Sequence, residues 1–148
     1  MAEFILRPAK KGDFHAIRHL INAVQINPTG LDWRRFLVAI TLDGSLIGCG
    51  QIKPHSDGSL ELASIAVQDE ARRQGVARAV IEALLEKEPK RPMYLMCRAR
   101  LKQYYVKFGF QVIGLEKMPH YFRRISSMER IFNSKAQPDD RLLVMNLD

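Results

Sequence analysis

Residues 60–80 read LELASIAVQDEARRQGVARAV. Large apolar residues fall at Leu60 and Leu62, then at Ile65 and Val67, so the alternation changes phase near Ala63 and Ser64. One residue inserted into a period-2 strand, a β-bulge, produces that shift, and a strand buried on both faces blurs the pattern in the same way. The spacing then becomes helical, at Val76, Ala77, Val80, Ile81, Leu84 and Leu85, predicting a helix over 75–86. The chain enters that helix through Arg72, Arg73 and Gly75. Cations there oppose the macrodipole, which favours an anion by about 0.3–1 kcal/mol. An anion shared by the arginines and the free first-turn amides resolves the conflict, and glycine lets the backbone approach it closely.

Working outward, residues 4–7 form a short strand closed by Pro8, and a helix follows with Phe14, Ile17, Leu20 and Ile21 on one face and Asp13 as N-cap. Asn27-Pro28-Thr29-Gly30 breaks it. Residues 36–42 and 46–52 read as strands joined through Asp43-Gly44, a hairpin signal, and His55-Ser56-Asp57-Gly58 is the next turn. Beyond the central helix come a strand at 93–97, a helix at 100–108 capped by Gly109, a strand at 110–113, a helix at 120–132 and a last strand at 141–147. The order predicts a single-domain mixed α/β sheet over 1–148, with antiparallel N-terminal strands, parallel central strands and flanking helices. Ligands in such sheets bind beyond the carboxyl ends of parallel strands.

Composition narrows the class. The 148 residues suit one domain, and no apolar run approaches the ~18 residues of a membrane helix. The start, MAEFILRPAKK, is too charged for a signal peptide, so the expected compartment is cytoplasmic. Cys49 and Cys97 sit in apolar stretches without a CxxC pattern and read as buried thiols. The net charge of +7 favours an anionic partner. Lys90, Arg91, Arg98, Arg100, Lys102 and Lys107 fall between 89 and 115 with no acid among them, although such a run is usually a solvated face. His15 and His19 are i, i+4 on the first helix, but no HExxH and no third ligand accompany them, so no metal is expected.

The turn matches neither the Walker A nor the GxGxxG pattern. Some thirty residues later, at the next helix-to-strand junction, stands YVKFGF, residues 105–110. The two segments together resemble the paired motifs of the GNAT acetyltransferase superfamily: an [RQ]xxGx[GA] turn on Arg72, Gly75 and Ala77, and a YxKxGF segment on Tyr105, Lys107, Gly109 and Phe110. The opening FILRPAKKGDFHAI is similar to the family's start, and the resemblance spans residues 5–114.

The resemblance implies acetyl-CoA as co-substrate and direct transfer to an amine acceptor, without an acyl-enzyme. It implies that Ile65, Ala66 and Val67 offer main-chain groups to the pantetheine arm. The amides of Arg73, Gln74, Gly75, Val76, Ala77 and Arg78 would wrap the pyrophosphate, with Arg72 and Arg73 adding charge-assisted hydrogen bonds. Tyr105 would protonate the leaving thiolate, and Glu61 would take the amine's proton through water. Without the motif, Tyr105 reads as a core aromatic on the face of Leu101, Tyr104 and Phe108, and Glu61 as an ordinary strand glutamate. Where the family often has asparagine, seven positions before the tyrosine, this chain has Arg98. His120, Tyr121 and Arg123, on a longer segment between the last two strands, are candidates for the acceptor side. Two alternatives remain: a CoA-binding module without chemistry, and a nucleic-acid binder. The second is disfavoured because its aromatics fall on an apolar helix face. A monomer or a homodimer is expected, with no membrane partner.

Overall fold

The computed structural model describes residues 3–148; Met1 and Ala2, the start of the segment read above as no signal peptide, lie outside them. The regular elements are β1 (Phe4–Pro8), α1 (Phe14–Ala23), β2 (Phe36–Thr41), β3 (Leu46–Pro54), β4 (Leu60–Val67) and α2 (Val76–Lys87). They continue with β5 (Met93–Arg98), α3 (Lys102–Val106), β6 (Gln111–Val112), α4 (His120–Phe132) and β7 (Leu142–Leu147). The seven strands form one mixed sheet in the order β1-β2-β3-β4-β5-β7-β6. This is the expected α/β architecture with four flanking helices, but β4 and β5 are its parallel pair and β7 inserts antiparallel between β5 and β6.

The chain forms two compact units, one from the residues up to Lys53 together with Leu62–Pro89, the other from Pro54–Glu61 and Lys90–Asp148. In the first unit, Ile17, Leu20 and Ile21 of α1 are buried with Phe36, Val38 and Ile40 of β2, Cys49 of β3 and Ala66 of β4. The opposite face of β3 carries glycines. A β-carbon on Gly48 would lie 2.6 Å from Val76 Cγ1, and one on Gly50 would lie 2.6 Å from Ile65 Cδ1 and 2.9 Å from Val80 Cγ1. Helix α2 therefore rests on bare backbone. Asp13 does not cap α1 as the sequence suggests. Its carboxylate accepts from Arg7 at 2.7 and 3.1 Å and from the Lys10 amide at 2.7 Å, closing the turn before the helix. A bidentate charge-assisted pair outcompetes a neutral cap for the same oxygens.

In the second unit, Phe122 of α4 is fully buried with Ile113, Met118 and Val144. The helix expected over 100–108 is shorter: a 3-10 turn at Ala99–Leu101 precedes the five residues of α3, and Gly109 at φ 98° ends the segment as expected. Strand 110–113 contracts to Gln111–Val112, with Phe110 buried. Cys49 and Cys97 are free and buried, and burial pushes their thiols up to about 12 and about 11. Among the described residues, no helix is long and apolar enough to cross a membrane.

The glycine contacts make a direct prediction. Gly50→Ala should destabilise by about 1–3 kcal/mol in urea unfolding, through overpacking against α2 and Ile65. Gly12→Ala, which meets nothing within 4 Å, should be nearly neutral.

Candidate functional site

The first unit holds the turn that the sequence singles out. Ser64 adopts φ 59°, a left-handed kink where the alternation of β4 changes phase. The chain then passes a 3-10 turn at Asp69–Ala71 into α2, with Arg73 at φ 64° and Gly75 at φ 81°. Gly75 is the N-cap residue, and no side chain caps the helix. The first amides of α2 thus have no partner within the helix. A left-handed residue next to a right-handed one, as at Gly75 and the first helical residue Val76, turns successive N–H groups toward one point, a concave nest that suits an anion. Nothing lies within 4 Å of the β-carbon position of Gly75, so the turn is uncovered on that side.

The arginines around this nest are partly engaged. Arg72 pairs with Asp69 at 3.2 Å, and Arg78 Nε donates to Glu82 at 2.7 Å, both on the exposed surface. Gln74 Nε2 donates to the Glu70 carbonyl at 3.2 Å. Such exposed pairs are worth about 0–1 kcal/mol and exchange readily for a stronger anion. On β4, Ala66 is buried against α1 and Ile65 packs beside Gly50, so their side chains are committed to packing. The register of β4 with β5 comprises Leu60–Met93 and Glu61–Tyr94; Ile65, Ala66 and Val67 lie outside it.

The second unit holds Glu61 and Tyr105. Glu61 is not the exposed glutamate of the ordinary reading: it is 5% exposed, and its Oε1 lies 2.9 Å from His55 Nε2. The carboxylate can only accept, so the imidazole proton sits on Nε2. The His55 ring stacks on Tyr121 of α4 with centroids 3.6 Å apart and planes at 16°. The Tyr121 amide donates to Asp57 Oδ2 at 3.0 Å. Sequence reasoning treats His55 and Asp57 only as turn residues. The missed signal is that a turn of this composition carries one imidazole six positions before the candidate base. Tyr105 packs edge-on against Tyr104 and Phe110, with centroids 5.3 and 6.2 Å away. Burial, then the neighbouring Cys97, raises its phenol above the usual value of 10, so it is fully protonated at neutral pH.

Of the other candidates, Arg123 is structural, its guanidinium donating to the Leu115 and Met118 carbonyls at 3.3 and 3.1 Å. Arg98, in the family's asparagine position, donates to Glu129 at 2.6 Å and to the Asp140 carbonyl at 3.2 Å. Arg100 pairs with Asp140. Acids of α4 and of the turn before β7 thereby neutralise the middle of the basic run. His15 and His19 line a surface cavity with Asp69 and Glu70.

Residues 32–112 match the acetyltransferase (GNAT) domain, more than half of the chain. The chain belongs to the GNAT acetyltransferase family. Solved GNAT-fold structures agree in architecture. One is Rv2747 from Mycobacterium tuberculosis in complex with CoA and NLQ: TM-score 0.73, 20% identity, covering 97% of this chain and 98% of that one. A second is N-acetylglutamate synthase from Neisseria gonorrhoeae with coenzyme A and N-acetyl-glutamate: TM-score 0.73, 19% identity, 100% of this chain and 36% of that one. Escherichia coli ElaA aligns over 100% of both chains at 17% identity and TM-score 0.67. No curated protein matches the chain. The family match covers the turn on Arg73 and Gly75, and the neighbours establish the fold.

The Asp57 latch sets a pH dependence. The Ser59 hydroxyl, then the Tyr121 amide, hold the Asp57 carboxyl down at about 2. A depressed carboxyl contributes stability that is present above its unfolded pKa near ~3.9 and lost as pH falls through the folded value. Thermal melts should therefore fall between about pH 4 and pH 2, and Asp57→Asn should flatten that part of the curve.

Proposed function

We propose that the whole chain acts as a single acetyltransferase domain that moves the acetyl group of acetyl-CoA directly onto the nitrogen of an amine acceptor. The observation that carries this reading is the nest at the uncapped start of α2, with Arg73 and Gly75 left-handed. A pyrophosphate suits it in charge and size. The amides of Arg73, Gln74, Gly75, Val76, Ala77 and Arg78 are its donors, and Arg72 and Arg73 are its guanidinium partners. Ile65, Ala66 and Val67 would present main-chain groups to the pantetheine arm.

Acetyl-CoA supplies an activated thioester. Transfer forms a C–N bond, breaks the C–S bond, takes one proton from nitrogen and gives one to sulfur. Glu61 is our base: its carboxylate is buried and held in one orientation by the His55 N–H, leaving its other oxygen to accept a proton through water. Tyr105 is our acid, holding its proton at Oη until a thiolate develops. Burial raises the phenol further above a thiol pKa near ~8.5, so the proton moves only as charge builds on sulfur. The buried, protonated Cys97 is a poor nucleophile, which favours direct transfer. Two free thiols accord with action in the reducing cytoplasm.

Binding and chemistry separate in test. Acetyl-CoA at 100 times its Kd should stabilise the protein by about 2.7 kcal/mol, seen as a rise in Tm, and Gly75→Glu should abolish the rise. Tyr105→Phe should lower kcat by about 10²–10⁴ with acetyl-CoA affinity nearly unchanged. Glu61→Gln should lower kcat by about 10²–10⁴ with acetyl-CoA affinity nearly unchanged; wild-type turnover in this variant would exclude Glu61 as the base.

A further inference from the structure

Two polar side chains near the Pro54 end of β3 have no part in the scheme above. Gln51 is 0% exposed and Lys53 is 7% exposed. Alternation places both on the α1 side of the sheet, continuing the row of Cys49, where apolar residues would otherwise pack. Gln51 Nε2 donates to Ser64 Oγ at 2.8 Å and to the Gly30 carbonyl at 3.3 Å. A carbonyl can only accept, which fixes the amide nitrogen there. The amide oxygen is left fully buried without a donor among the described residues.

Lys53 is a buried cation with similarly incomplete partners. Its Nζ donates to the Thr29 carbonyl at 3.1 Å. None of the ion pairs of the described residues includes it. An ammonium has three protons to give, and burying one without a counter-charge is unfavourable. Gly30, at φ 67°, lies over it: a β-carbon there would stand 3.1 Å from Nζ. The cover over both side chains is thus the irregular segment between α1 and β2, which touches their polar atoms through two carbonyls.

An ordered site with one unsatisfied acceptor and one unpaired cation is complementary to a ligand carrying an N–H donor and a negative charge. We propose that Gln51 and Lys53 form the acceptor subsite, and that the acceptor is an amino acid. Its carboxylate replaces the Thr29 carbonyl on Lys53, and its amine donates to Gln51 Oε1. The segment over Lys53 shifts to admit it. The proposal rests on the acetyl-transfer reading, and a net charge of +7 suits such an acceptor.

The test uses matched probes on the full chain. Each proteinogenic L-amino acid is compared with its carboxamide at fixed acetyl-CoA, following release of the CoA thiol. The Tm shift with acetyl-CoA alone is read beforehand. At least one amino acid should be turned over with kcat/KM ten-fold or more above its carboxamide. Lys53→Met should erase that preference through KM while keeping the acetyl-CoA shift, and Lys53→Arg should restore part of it. Lys53→Gln serves if the Met variant does not fold. Equal use of acids and amides, or a preference unmoved in Lys53→Met, would each overturn the amino-acid subsite alone, while no turnover of any probe by a protein that acetyl-CoA does shift would overturn the subsite whatever other amine the protein acetylates. A wild type that acetyl-CoA does not shift would overturn the acetyl-transfer reading, and the subsite with it.

Discussion

The first unit depends on the contact between bare backbone on β3 and the first turns of α2. Gly48 meets Val76, the residue directly after the N-cap, and Gly50 meets Val80 and Leu84 one and two turns on. Any side chain at these glycines would lift the helix off the sheet. Protein interiors respond to such a change as a solid does, by displacement or strain. The helix start is therefore fixed by packing, not by a capping side chain. That leaves its amides free for an anion. One steric constraint thus sets both the seat of the helix and the exposure of its first amides.

Charge is distributed with the same economy. A chain with an excess of basic residues still places Arg7 on Asp13, Arg98 on Glu129 and Arg100 on Asp140. The last two join segments distant in sequence, and all three engage cations that would otherwise add to the basic surface. The second unit shows a different device. Asp57, Tyr121, His55 and Glu61 form a continuous chain of hydrogen bonds and ring stacking, tying the loop before β4 to the start of α4. A carboxylate restrained in this way keeps one orientation, which an exposed one would not.

Much of the architecture was readable from local pattern. The phase shift in LELASIAV coincides with left-handed Ser64, the Asp43-Gly44 hairpin joins β2 to β3, and the eleven elements follow in the expected order. These features arise from neighbours a few residues apart, where periodicity and turn chemistry act directly. Asp13 was misassigned because the sequence does not reveal that Arg7 turns back to meet it. Helix 100–108 was overextended because its apolar face is the same for a 3-10 turn followed by a short α-helix.

The sequence by itself determined the kind and succession of the elements and the family, because each is written in short-range spacing. Only the tertiary structure decided that β7 lies between β5 and β6, that Glu61 is buried against His55, and that Lys53 is enclosed without a counter-charge. The physical reason is common to all three. Strand order, burial and desolvation depend on which distant segments are brought over a residue, and a lysine or glutamate is spelled identically whether water or a β-sheet surrounds it.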